Sequence, residues 1–120
     1  MGTGLIVAFV VAIWAAYFVP LVLRRYDEAI PYYRAVVQQA PRNAEAHYRL
    51  GWILHYQKRS FREAEELYRK AIALRPDYAE AINSLANITY YVRRDAAGAE
   101  RLYRRAIALQ WNGLFHAELA

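Results

Sequence analysis

Cysteine is absent from the 120 residues. No disulfide framework and no thiolate metal site can form, and the absence selects no redox compartment. Lysine is almost absent too: Lys58 and Lys70 are lysine, and the rest of the 16 basic residues are arginine. Together with the many alanines, this composition points to a GC-rich bacterial genome. There is no Gly-rich phosphate loop and no G-x-S-x-G turn. His47, His55 and His116 are not spaced i, i+4, so they make no helical metal pair. His47 and His55 sit two helical turns apart and are read as surface or packing residues. No catalytic residues, cofactor or metal are expected, and the chain reads as a non-enzyme. The net charge of +5 comes from 16 basic against 11 acidic residues. The two signs are interspersed, which reads as solvated helix faces rather than a nucleic-acid footprint.

Charge is missing altogether from Leu5 to Leu23, LIVAFVVAIWAAYFVPLVL. At 1.5 Å per residue this run is about 28 Å long, close to a hydrocarbon core of about 30 Å. It reads as a transmembrane helix within residues 1–25. A cleaved signal peptide would need a basic leader, and Met1–Gly4 offers none. Arg24 and Arg25 follow the run at once and no basic residue precedes it. The positive-inside rule then places a single-pass protein in the inner membrane of a bacterium with its remainder in the cytoplasm. The outer side is the alternative, because whole domains cross despite their charge. Gly4, Ala8, Ala12 and Ala16 recur every fourth residue with Ala15 beside them. They form a small-residue stripe on which another membrane helix could pack. Pro20 lacks the N–H owed to Ala16 and is expected to bend the helix.

Sliding the chain by 35 residues exposes a repeat. Ala44-Glu45-Ala46 returns as Ala79-Glu80-Ala81, and Leu50, Ile53 and Tyr56 return as Leu85, Ile88 and Tyr91. The segment Leu67 to Leu74 returns almost letter for letter as Leu102 to Leu109. Each unit reads as two antiparallel helices, 44–57 with 61–74 and 79–91 with 95–109. Ser60 with Glu63 suggests a capping box for one second helix, and Asp95 a cap for the other. Backward by one period, only a second helix is recognisable, near 27–39, with Pro31 in its first turn. The membrane helix holds the register of the missing first helix. After Trp111, Asn112-Gly113 suggests a turn, and 112–120 the start of a capping or truncated helix.

These residues resemble the tetratricopeptide repeat family. Leu50-Gly51, Leu54, Ala64, Tyr68, Ala71 and Pro76 carry the pattern in one unit, and Leu85-Ala86, Ala99, Tyr103 and Ala106 in the next. Thr89, Trp111, and His47 and Ile82 in place of tryptophan depart from it. The resemblance covers about 26–111 and implies an all-α solenoid of one half and two full repeats. It implies protein–protein binding on the concave face made by first helices. By register that face holds Glu45, Tyr48, Trp52, His55 and Tyr56, then Glu80, Asn83, Asn87, Tyr90 and Tyr91. The expected function is a membrane-anchored scaffold for a partner that is itself a membrane protein. The alternative is a small accessory subunit whose span packs on neighbouring helices of a larger complex. The apolar C-terminal edge, with Leu114 and Phe115, suggests an oligomeric or complex contact.

Overall fold

The computed structural model describes the backbone of residues 2–119 and the side chains of residues 2–112. Every regular element is helical: α1 Gly2–Ile13, a π-helical turn Trp14–Phe18, α2 Val19–Gln39, α3 Ala44–Tyr56, α4 Phe61–Leu74, α5 Ala79–Tyr91 and α6 Ala96–Leu119. Two compact units divide the chain, Met1–Tyr32 and Tyr33–Ala120.

The first unit is helical at every described residue. Its π turn falls just before Pro20, and the Val19 N–H bonds back five residues to the Trp14 carbonyl. A proline cannot donate to the carbonyl four residues back, and the wider turn is how the helix absorbs the lost bond. The same widening puts more residues into one turn. Ala16 therefore lies more nearly under Ala12 than an unbroken α-helix would place it. None of the apolar stretch is buried; Leu5 is 74 % exposed and Phe9 67 %. By length and composition this is a single apolar helix able to cross a bilayer.

The sequence suggests a helix boundary near Asp27, and the structure places none there. Helix α2 begins at Val19, so Pro31 lies in its interior rather than in a first turn. The stretch Leu23-Arg24-Arg25-Tyr26 holds no glycine, serine or asparagine to stop a helix. The hairpin turn that later units make at this register does not form.

In the second unit α3 packs on α4, α5 on α6, and α4 on α5. The 35-residue register is visible in what is buried: Ala46 with Ala81, Leu50 with Leu85, Ile53 with Ile88, Ala64 with Ala99, Ala71 with Ala106. Small residues sit where helices touch. A Cβ on Gly51 would stand 3.0 Å from the Tyr68 ring. Register and burial part company at α6. Tyr68 is fully buried but Tyr103 only half so, and Ile107 and Trp111 are exposed, because among the described residues nothing packs beyond α6. Helix α6 also runs through Asn112-Gly113 to Leu119, with no turn. Proline stops α4 at position 76. At the equivalent position stands Trp111, and one glycine costs a helix only about 1 kcal/mol. The side chains of Leu114, Phe115 and His116 lie outside the described residues.

Caps follow local chemistry. Asn43 accepts from the Ala46 N–H at 3.1 Å, and Asp95 from the Gly98 N–H at 2.9 Å. Ser60 is the N-cap residue of α4 by position but makes no side-chain bond. Its expected box partner, Glu63, is drawn instead to Arg34 at 2.6 Å. The turns after α3 and α5 are alike. Arg59 and Arg94 take the left-handed conformation, φ 54 and 57. Ser60 N–H then reaches the Leu54 carbonyl at 2.7 Å, and Asp95 N–H the Thr89 carbonyl at 3.0 Å. A left-handed residue just past a helix C-terminus is a position that usually takes glycine. Arg94→Gly is therefore expected to stabilise the protein by about 1 kcal/mol, since an L side chain is strained there. A guanidinium midpoint that failed to rise would contradict it.

Candidate functional site

The ten residues assigned to the concave face divide once side chains are placed. His55 is 7 % exposed and its Nδ1 is hydrogen-bonded to the Tyr68 hydroxyl at 3.1 Å. It belongs to the interior, because its ring is enclosed by Tyr56, Phe61 and Tyr68. Tyr48 is half-buried between the rings of Tyr68 and Tyr78. Both side chains pack among neighbouring rings rather than standing free at the surface. Burial pushes the Tyr48 and Tyr68 phenols above their ordinary range, although hydrogen bonds to buried Ser84 act the other way.

Asn87 is also committed. Its Nδ2 donates to the Tyr56 hydroxyl at 3.0 Å while its Oδ1 accepts from the Tyr103 hydroxyl. One amide thus ties α3, α5 and α6 together, which fixes the spacing of the two repeats. Glu45 is exposed and paired with Arg49 at 2.9 Å. Trp52 is half-buried against Tyr56, with ring centroids 5.2 Å apart. The residues left facing outward are Trp52 in part, Tyr56, Glu80, Asn83, Tyr90 and Tyr91. Tyr90 and Tyr91 meet edge to face, and a cleft of about 310 Å³ lies among them, Arg94 and Ala96. The surface is an aromatic shelf with a polar carboxylate and amide, suited to a peptide or a helix face.

Beside this surface, an ion pair between residues 28 apart, Glu65 and Arg93, has no signal in the sequence. Glu65, its side chain 13 % exposed, holds Arg69 at 3.0 Å from its own helix and Arg93 from the end of α5. Burial alone would push the Glu65 carboxyl up; the two guanidiniums outweigh it and the net is downward. His47 donates from Nε2 to the Pro41 carbonyl at 2.9 Å, and its Nδ1 has no partner among the described residues. Among the described residues no group of three or more His, Cys, Asp or Glu could hold a metal ion.

His55 gives a pH test. Burial holds its pKa below the ordinary 6.5. The unfolded chain therefore takes up a proton before the folded one does as pH falls through about 6.5. Stability is full above that value and declines below it until the folded pKa is reached. Guanidinium titrations at pH 7.5 and 5.5 should show the drop, and His55→Gln should shrink it. A drop of equal size in the variant would assign it elsewhere.

Tetratricopeptide repeat family profiles match residues 21–60 and residues 44–78. Solved structures with the same fold include a crystal structure of MamA, with TM-score 0.69 and 19 % identity over 78 % of this chain and 54 % of that one. A MamA RS-1 double mutant matches with TM-score 0.65 and 26 % identity, over 78 % of this chain and 51 % of its own. MamA MSR-1 matches with TM-score 0.64 and 27 % identity, over 74 % and 50 %. The chain thus spans about half the length of each of these proteins. No curated protein matches the sequence.

Proposed function

Because the chain carries tetratricopeptide repeats, whose helix pairs serve as scaffolds for other proteins, we propose that it is a membrane-tethered docking module. It holds a partner protein on the outward face of α3 and α5 and catalyses nothing. The observation that carries this reading is the unburied apolar helix joined directly to the repeats. Lipid would cover those side chains at a gain of about 25 cal/mol per Å². With Arg24 and Arg25 at its C-terminal end, the span sits in a bacterial inner membrane with the repeats in the cytoplasm. The partner, a membrane protein, lays an extended segment or a helix along Trp52, Tyr56, Glu80, Asn83 and Tyr90, with Glu45 at the far end. Tyr48, His55 and Asn87 hold that surface in shape from behind.

A photo-crosslinker placed at Asn83 or at Trp52 tests it in native membranes. Both positions should capture the same protein, and Arg104, on α6, should not. Equal capture at all three positions would reject the face.

A second reading is favoured by one feature of the span. A Cβ on Gly4 would meet nothing within 4 Å, so the Gly4, Ala8, Ala12, Ala15 and Ala16 stripe is open to another helix. The protein would then be an accessory subunit packed on neighbouring spans of a larger complex. Co-purification in fixed stoichiometry from mild detergent supports the subunit; exchangeable binding supports the docking module.

A further inference from the structure

The turns that close the two helical hairpins share an edge. Arg93, just after α5, donates from Nε to Glu65 on the second turn of α4 at 3.1 Å. That bond places the α5–α6 turn beside the start of α4, where the α3–α4 turn lies. The edge collects Lys58, Arg59, Arg62, Arg93 and Arg94, and Arg24 holds the same register one period earlier. Its carboxylates are already engaged: Glu63 with Arg34, Glu65 with Arg69 and Arg93, and Asp95 with the Gly98 N–H. Among the described residues, Arg59, Arg62 and Arg94 have no ion pair, and all three are exposed. Of the other eleven arginines, seven are paired, 24, 34, 49, 69, 75, 93 and 104, and four, 25, 42, 101 and 105, are not. The left-handed backbone at Arg59 and Arg94 is tolerated there without glycine, although a strained turn ordinarily selects it.

The chemistry of the surrounding surface narrows the choice of anion. Tyr91 is 71 % exposed and Val92 40 %, and Tyr91 lines the Arg94 cleft. Arginine beside an exposed tyrosine and an aliphatic residue is the composition of a bilayer interface, where a ring sits among headgroups. A soluble acidic peptide would need the charge but not the apolar neighbour. Chain connectivity also limits where this edge can go. Residue 33, the first of the repeat unit, follows the apolar run by ten positions. The repeats therefore stay within reach of any membrane the run enters.

We propose that this basic turn edge, Lys58, Arg59, Arg62 and Arg94 with Tyr91 beside them, seats on the anionic headgroups of the bilayer. The proposal rests on the reading of residues 5–23 as a span. It makes the edge an orienting contact. The anchor sets how far the repeats can stray, and the edge sets which way the α3 and α5 face points. Each basic residue near an anionic surface strengthens such a contact by about fivefold.

The test uses the full chain. Ser60, whose hydroxyl makes no capping bond, is replaced by cysteine and labelled with a fluorescent dye. The chain has no other cysteine. The protein is reconstituted into vesicles of phosphatidylcholine, or of phosphatidylcholine with phosphatidylglycerol, each with a lipid spin-labelled at the headgroup. Flotation reads the anchor, and quenching of the dye reads the edge. The expected result is flotation with both vesicles and strong quenching only in the anionic ones. About 1 M salt, with a Debye length near 3 Å, should abolish the quenching without releasing the protein. The R59E/R94E variant should do the same, and the salt arm stands even if that variant folds poorly. Flotation with both vesicles but equal quenching would overturn the edge and leave the anchor standing. Flotation with anionic vesicles alone would overturn the anchor and leave the edge.

Discussion

Replacing Tyr68 by alanine is expected to unfold the repeat unit. The ring is fully buried; Gly51 on α3 is kept small to admit it, and Tyr48 packs against it. Emptying a site of this size costs about 3–5 kcal/mol. The hydroxyl adds to that, because His55 Nδ1 loses its buried partner, at about 1–3 kcal/mol if left unsatisfied. A domain of this length holds only about 5–13 kcal/mol in total. The comparison with Tyr68→Phe separates the two contributions. That variant keeps the ring and loses only the hydrogen bonds, so it should fold with a lowered midpoint. Denaturant titration of the full chain in detergent, followed by tyrosine fluorescence, reads both variants. If Tyr68→Ala melts within about 1 kcal/mol of the parent, the burial assigned to Tyr68 is wrong.

The second large effect concerns the membrane. Leu, Ile, Val and Phe account for twelve of the residues from Leu5 to Leu23. They favour insertion by about 4–7 kcal/mol in sum, and one arginine at the centre of the span opposes it by about 2.5–3.5 kcal/mol. A single substitution, Ile13→Arg, should leave the protein partly inserted. The pair Val10→Arg and Ile13→Arg cancels the whole driving force and should move the protein to the soluble or aggregated fraction. Washing membranes at alkaline pH and high salt removes contacts made by the basic edge, so what stays is inserted. The double variant surviving that wash as fully as the parent would show that residues 5–23 are held by something other than lipid.

Several features of the site are invisible in one dimension for a common reason. Asn87 lies 31 residues from Tyr56 and 16 from Tyr103, yet its amide bonds both. Arg93 and Glu65 are 28 residues apart. Neither spacing is a multiple of the repeat, so self-comparison passes over them. Register puts His55 on the exposed face, and it is the Tyr68 hydroxyl, 13 residues on, that draws it inside. Glu63 shows the same competition at short range. Its carboxylate could have closed a capping box, and the Arg34 guanidinium from α2 holds it instead.

The sequence by itself determined the helices of the repeats, their period and the buried set up to α6, where nothing described packs beyond. An amphipathic helix of fixed period must hide the same register positions in every copy, and small residues mark where backbones approach. It also determined the apolar run, since length and lack of charge are properties of the chain alone. Only the tertiary structure decided which of the face residues remain outward and which arginines go without a carboxylate. Those depend on which side chains from distant helices arrive first at a given donor or acceptor. It also decided that the helix passes unbroken through residues 23–26 and through Asn112-Gly113. There a continuous ladder of backbone hydrogen bonds outweighs the modest cost of the residues it runs through.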